Sequence, residues 1–473
     1  MSDASYDVAV HTVERRRNAK GVIISYRVSW RVDDEVWKQT FRTAAHAESF
    51  RSELLSAARR GEAFSMSTGR PISWITQEAG MSWYTFTVAY TQAKWPYISP
   101  NHRRGIAEAL TDATDAMIIR RSGAPTVDDR RAALRWSYST RIRDEAEPPT
   151  ALVRVVDWLE ANTVTMDTFS DRARAAALAR EMLARISKTK TGRTAAANTI
   201  NRKRMVLNNA MEYAREIGAL TQNPLKLVKW TNPRTLTTVD PRVVINAEQA
   251  RRFLAAVEAY SERGKRLKAF FALMYYAGLR PEEASELRRE NLARLPEEAG
   301  QWGEMQLTHS QPRSGSRWTD AGLPGERSPL KHRPEGDTRR VPIHPELVTM
   351  LRDHLNLYVE DDPDSRVFVG KHGGPITDRI YLKVFHEARR RAFTPAEAAS
   401  PLMAVPYSLR HAAVSTWLRT SGDAAQVAEW AGHSIAVLLK VYAKCVHGTE
   451  EQTLARIWDA TRGIAPSACR GNV

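Results

Sequence analysis

In its last quarter the chain reads Tyr407-Ser408-Leu409-Arg410-His411, then Trp430-Ala431-Gly432-His433-Ser434, then Val441-Tyr442-Ala443. Arg410, His433 and Tyr442 fall 23 and 9 residues apart, among apolar positions at helical spacing. Upstream stands Tyr276-Ala277-Gly278-Leu279-Arg280-Pro281-Glu282-Glu283. Two arginines, a histidine and a tyrosine are the groups that a tyrosine-mediated, metal-free attack on a phosphodiester needs. A phosphodiester is an anion, and more charge develops as phosphorus becomes five-coordinate. The planar fork of arginine matches two non-bridging oxygens at once. Tyrosine is one of the side chains that can form a covalent intermediate.

Working outward, Gly278 lets an apolar helix end and leaves Arg280 at the start of the next segment. Arg410 opens a helix whose apolar residues include Val414, Trp417 and Leu418, and basic groups at an element start suggest a lined anion site. Asp423-Ala424-Ala425-Gln426 is a capping box opening a short helix to Trp430. Ala431–Ser434 is then a tight turn into a second helix with Val437, Leu438 and Val441. Alone, this helix–turn–helix reads as a sequence reader. Alone, His411 reads as a core histidine and Tyr442 as an ordinary core or surface tyrosine. Lys331 is the only lysine between residues 269 and 370. A lysine can hand a proton to a departing 5′-oxygen where arginine cannot readily do so. The order and spacing of Arg280, Lys331, Arg410, His433 and Tyr442 together make the signal.

Composition bounds the rest. A chain of 473 residues with 42% hydrophobic content points to two or three domains. Lys plus Arg total 70 against 54 for Asp plus Glu, a formal charge of +16, which makes nucleic acid the first candidate partner. The two cysteines, Cys445 and Cys469, have no metal-ligand spacing, so neither a disulfide framework nor a cofactor is expected. The N-terminal sequence lacks a signal-peptide profile, and the apolar run from Ala269 to Leu279 is too short for a bilayer. A soluble, cytoplasmic, nucleoid-associated protein with no membrane partner is expected.

The pattern divides into parts. Residues 1–65 read as an α+β unit: Val22–Trp30 and Val36–Phe41 form a hairpin around Asp33-Asp34, and a helix follows over Ala45–Arg59. Arg27 and Arg31 could present charge on one strand face. Residues 66–80, with Gly69, Pro71 and Gly80, read as a linker. Residues 81–230 read as mostly helical, with basic groups at Lys94, Arg103, Arg104, Lys188, Lys190, Arg193, Arg202 and Lys203. Around Arg202 and Lys203 the apolar residues are Ile200, Met205, Leu207, Met211 and Tyr213. Such a basic amphipathic helix can lie on a phosphate backbone or simply show water its polar face. Residues 231–245 read as a second linker. Asn246 with Gln249 caps the helix that opens the last domain, 246–473. Met305–Thr308, Ser328–Lys331 and Thr338–Ile343 read as short strands, the last two joined by a turn at Pro334–Asp337. Gln311–Arg327 is a long Gly/Ser/Pro/Arg-rich loop.

Those motifs resemble the tyrosine recombinases, the phage-type integrases, and the phrase Leu330–Pro342 is similar to integrases of actinobacterial mobile elements. The resemblance implies a multidomain, mainly α protein with small β-sheets. Its parts would be an α+β arm-type DNA-binding domain, a helical core-binding domain and a mixed α/β catalytic domain. It implies Arg280 and Arg410 as catalytic arginines, with Glu283 supporting the first. It implies Lys331 as general acid, His411 as the histidine following the second arginine, His433 as the late His position and Tyr442 as nucleophile. The family carries a histidine three residues before the second arginine, and here Tyr407 stands there. Its phenol can donate to a phosphate oxygen but, with a pKa of about 10, is a poor base near neutrality. The resemblance further implies a site-specific recombinase that integrates or excises a mobile element through a 3′-phosphotyrosyl link. Its partners would be double-stranded attachment-site DNA, three further copies in a tetramer, and a directionality factor in some systems. A final helix capped at Thr449–Gln452, with Leu454, Ile457 and Trp458, would dock on a neighbouring subunit. Type IB topoisomerase activity and a non-catalytic DNA-binding regulator are the alternatives.

Overall fold

In a computed structural model the described residues are 4–17, 21–72, 74, 80–119, 121–235, 238–331, 333–370, 373–421 and 423–442, with single positions between 454 and 461. The chain divides into two compact units, Met1–Pro233 and Arg234–Val473, with the break inside the expected second linker.

The first unit opens with β1 (Ala4–Ser5), β2 (Val8–Val10), β3 (Glu14–Arg17), β4 (Ile23–Val32), β5 (Glu35–Phe41), α1 (Ala44–Arg59) and β6 (Phe64–Ser65). β4 organises the sheet. It pairs antiparallel with β5 over residues 26–32, and β2 and β3 pair with parts of that same stretch, so both must lie along its other edge. Asp33 takes a left-handed φ of 54° at the β4–β5 turn. Val28, Trp30 and Val32 alternate inward, as a half-buried strand requires, onto Ala47, Leu54 and Ala57 of α1. Arg27 and Arg31 fall on the opposite face, paired with Glu14 at 3.7 Å and Asp7 at 3.0 Å.

The expected linker at 66–80 needs correction over its first residues. Ser65 N donates to Arg70 O at 2.9 Å, Phe64 bridges Pro71, and Trp30 Nε1 donates to Gly69 O. Gly69 has a φ of 69° and lies against the Trp37 ring so closely that a Cβ would collide with it. An unobstructed glycine is what lets the segment fold back onto the sheet instead of hanging slack.

The helical part comprises α2 (Trp83–Lys94), α3 (Pro100–Ala116), α4 (Val127–Ser137), α5 (Thr140–Glu145), α6 (Thr150–Asn162), α7 (Arg172–Ile186) and α8 (Ala197–Glu216). Ser82, Thr126 and Asp171 cap α2, α4 and α7 through their side-chain oxygens. Two residues expected at a DNA-facing surface lie inside instead. Lys203 donates to Asp112 within a buried cluster of Asp112 and Asp115 with Arg130, Arg131 and Arg185. It shares the inward face of α8 with Ile200 and Leu207, three and four residues away. Arg103 lies over the Trp95 ring at 4.2 Å and donates from Nε to Trp95 O at 3.0 Å. Met205, one of the apolar residues of α8, is exposed.

The second unit contains α9 (Ala247–Glu258), α10 (Glu262–Tyr276), α11 (Pro281–Glu286), β7 (Gly303–Leu307), β8 (His309–Ser310), β9 (Ser328–Pro329) and β10 (Arg339–Ile343). After these come α12 (Pro345–Tyr358), α13 (Asp378–Ala392), α14 (Pro395–Ala399), α15 (Tyr407–Ser421), α16 (Ala424–Ala431) and α17 (Ile435–Tyr442). The Asn246–Gln249 box forms in both directions, at 2.8 and 3.0 Å. α10 buries Leu267 and the whole run Ala269–Met274, so its second half is core on every side, met edge-to-face by Phe253 and Phe368. Among the described residues no helix is long and apolar enough to cross a membrane.

The strand pairing differs from expectation. β10 does not form a hairpin with β9. It pairs antiparallel with β7, Arg339 opposite Leu307 through Ile343 opposite Gly303, while β9 pairs with β8. Val341 and Ile343 fit the same buried face as Met305 and Leu307, and that shared burial sets the register. The long loop is not slack either. Gln311 N donates to Glu282 O at 3.1 Å, Arg327 pairs with buried Glu286 at 3.2 Å, and Thr319 is wholly buried.

Candidate active site

Glu283 sits at the centre. It lies in the first turn of α11, and its carboxylate accepts the N–H of the N-cap residue Arg280 at 2.8 Å. The same carboxylate takes Arg280 Nη1 at 2.7 Å and both terminal nitrogens of Arg339, at 2.9 and 2.7 Å. Arg410 Nη1 stands 4.0 Å away. Burial opposes ionisation of Glu283, but the charges and hydrogen bonds of Arg339 and Arg280 hold it well below the usual carboxylate range.

Arg410 is fully buried on the first turn of α15. It donates to Gly278 O and Ala431 O, and its Nη2 lies 3.1 Å from His433 Nε2. Ala431 O ends α16 and is an orphan acceptor that an arginine can satisfy, and Gly278 O lies just past the end of α10. Gly278 has a φ of 60° where α10 ends. Gly432 ends α16 with a φ of 62°, and its carbonyl accepts Arg280 Nη2 at 3.1 Å. A Cβ on Gly432 would collide with the Arg339 guanidinium. The Trp430–Ser434 turn is therefore pressed onto the arginine cluster by a residue that has no side chain.

Tyr442 closes α17 and is buried among Val239, Val414, Leu418 and Leu438. Its Oη lies 3.0 Å from His411 Nδ1, and its ring is 6.2 Å from that of His433. Val239 N donates to Val441 O at 2.7 Å, tying the end of α17 to the segment before α9. Tyr407 starts α15, 5.0 Å ring to ring from His411. Lys331 is exposed just after β9, and among the described residues it forms no ion pair.

Arg280, Arg410, His433, Tyr442, Glu283 and His411 thus come together from three stretches, with Tyr407 beside His411. Arg339 also belongs and was missed. Its signal lay in the alternation Arg339, Val341, Ile343, which sets an arginine at an inward position of a strand. Of the remaining basic residues, Lys188, Lys190 and Arg193 are exposed on a tight turn where Thr189 N donates to Arg193 O at 2.7 Å. Arg104 is exposed, Arg202 pairs with Glu108 at 3.3 Å, and Lys94 lies 5.9 Å over the Tyr90 ring. Leu454, Ile457 and Trp458 are exposed, while the expected cap at Thr449–Gln452 lies outside the described residues, as do Cys445 and Cys469.

Burial first, then the Arg410 charge, pushes His411 down to about 4 and His433 to about 3. An unfolded histidine titrates near about 6.5. As pH falls from about 6.5 to about 4, the unfolded chain binds protons that the folded site refuses, so stability falls over that window. The second unit is expected to melt at progressively lower temperature on acidification through this range, with a shallower slope in the double variant His411→Gln/His433→Gln. Thermal midpoints across pH read this directly, and an unchanged slope would refute it.

No family model matches the chain. Among solved structures the chain is similar to the Tn1549 transposon integrase in complex with transposon right end DNA, at 17% identity and a TM-score of 0.46, covering 69% of this chain and 99% of that one. In sequence, the chain is 24% identical over 249 residues to the tyrosine recombinase XerC of Bacillus pumilus (strain SAFR-032), covering 52% of this chain and 69% of that protein. It is 26% identical over 205 residues to XerC of Nitrobacter winogradskyi, covering 42% of this chain and 53% of that protein, about half the relative's length. These sequence relatives are tyrosine recombinases, and with Arg280 on Glu283, His433 on Arg410 and Tyr442 on His411 in one unit, the chain is similar to that family.

Proposed function

We propose that this protein is a site-specific DNA recombinase that cuts and rejoins strands through Tyr442. The observation that carries the reading is that Arg280 and Arg410 gather at Glu283, His433 bonds Arg410, and buried Tyr442 stands beside His411 and His433. In this reading Tyr442 Oη attacks the scissile phosphorus, the P–O5′ bond breaks, and a 3′-phosphotyrosyl link forms. Arg280 and Arg410 hold the charge that builds on the non-bridging oxygens. Among the described residues, Arg410 Nε and His433 Nδ1 are buried without a hydrogen-bond partner, and a phosphate oxygen is the kind of acceptor such groups lack. Lys331 protonates the departing 5′-oxygen. A 5′-hydroxyl of a second duplex then attacks the link and reseals the strand, so the bond energy is kept within DNA. Four copies acting on two duplexes would exchange both strands and so integrate or excise an element. Arg104, Lys188, Lys190, Arg193 and Arg202 are the cations offered to the backbone phosphates.

Covalent capture tests this. The protein is mixed with fragmented DNA of its host and element, denatured, and whatever stays attached is sequenced. Adducts at a few sites are expected, and Tyr442→Phe should reduce them to background while retaining DNA binding. Diffuse Tyr442-dependent adducts would favour a topoisomerase. Tight binding with no adduct from either protein would overturn the enzyme reading in favour of a regulator.

A further inference from the structure

A tyrosine nucleophile has to lose its proton as it attacks. With a pKa of about 10, Tyr442 is almost wholly protonated near neutrality. The residue three positions before Arg410 is Tyr407, a second phenol, which is no better as a base. The fold places a different group at the nucleophile. His411 follows Arg410 on the first turn of α15, and its Nδ1 stands 3.0 Å from Tyr442 Oη. The two rings meet edge to face, 5.7 Å between centroids. Both partners are held: Val239 pins the helix end at Tyr442 through Val441 O, and Arg410, next to His411, donates to Gly278 O and Ala431 O.

We propose that His411 is the catalytic base of strand cleavage, accepting the Tyr442 proton on Nδ1. The inference rests on the reading of Tyr442 as nucleophile. As Oη bonds to phosphorus, its proton passes to Nδ1, while the P–O5′ bond breaks and the leaving oxygen takes a proton from Lys331. In rejoining, the incoming 5′-hydroxyl returns a proton to Lys331, the P–Oη bond breaks, and His411 gives its proton back to Tyr442.

The surroundings keep His411 in the state a base needs. The groups facing it are Tyr407 and Arg410 on its own helix and Tyr442 across from it, with His433 on the far side of the Tyr442 contact. No carboxylate among the described residues acts on it, and burial with the Arg410 charge disfavours the imidazolium. At neutral pH the ring is therefore neutral, and with its proton on Nε2 the Nδ1 lone pair faces the phenol. A scissile phosphate beside Arg410 would offset the charge that depresses His411, raising its basicity where the proton is to be taken.

The test uses the full chain and the duplex recovered by covalent capture, measuring single-turnover adduct formation. Wild type should be nearly independent of pH above neutrality. His411→Ala should be slower by about 10²–10⁴-fold at neutral pH. Its rate should then climb about tenfold per pH unit, since only ionised phenol attacks. Added imidazole should restore part of the rate. DNA with a 5′-bridging sulfur, whose thiolate leaves without a proton, should rescue Lys331→Ala but not His411→Ala. His411→Asn, closer in size, should share the altered pH profile if it melts like wild type. A loss with an unchanged pH profile and no imidazole rescue, in either variant, would overturn the proposal and make His411 a packing residue. No adduct from wild type would instead overturn the reading of Tyr442.

Discussion

Glu283→Gln is expected to destabilise the second unit by about 3–5 kcal/mol, the usual cost of removing one partner from a buried ion cluster. Glu283 is only 2% exposed and faces Arg280, Arg339 and Arg410. Three guanidinium charges are gathered against one carboxylate, so the site is already short of negative charge before DNA arrives. An amide of the same shape removes the remaining anion. It also turns an NH2 donor toward groups that are themselves donors, leaving Arg339 or Arg280 with a buried N–H unpaired. A carboxylate with a depressed pKa contributes stability that is present above its unfolded pKa of about 4.3 and is lost only as pH falls through its folded value. At neutral pH its stabilisation is therefore complete, and the loss on mutation should be the same at pH about 6 and about 8. Urea unfolding of the two proteins measures it. A loss below about 1 kcal/mol would mean the arginines do not depend on this carboxylate.

Arg410→Lys is expected to lower the rate of adduct formation by about 10²–10³-fold, the range for losing one fixed donor at a developing oxyanion. The substitution keeps the charge and removes the fork. Arg410 uses one nitrogen for Gly278 O and another for Ala431 O and His433 Nε2. A single ammonium cannot reach both helix ends, so one C-terminal carbonyl is orphaned in the interior at a cost of about 1–3 kcal/mol. Gly278 precedes Arg280 by two residues and Ala431 precedes Gly432, which binds Arg280, so a slip at either end moves the first arginine as well. Adduct kinetics together with thermal melting separate the two effects. A lysine variant that cleaves within tenfold of wild type would mean charge alone suffices at this position.

Several parts of the fold were legible because they are local. The Asn246–Gln249 box, the Asp423 cap, the hairpin at Asp33 and the glycine helix ends at Gly278 and Gly432 are written within a few residues. Arg280, Arg410, His433 and Tyr442 stand out by order and spacing, and the resemblance to the tyrosine recombinases is what implies their roles.

What the sequence by itself determined is this local grammar and the candidates for the reactive groups. Tertiary structure decided which charges are usable. Lys203 and Arg103 look like surface cations in a basic helix, but each is buried against a partner distant in sequence or folded over it. Arg339 looks like one arginine among many, but pairing of β10 with β7 turns it inward onto Glu283, 56 residues away. The 3.0 Å contact of His411 with Tyr442 joins residues 31 apart on different helices. Periodicity reports which face of an element is apolar. It does not report which other element covers that face, and the solvation and pairing of a charge are set by that covering element.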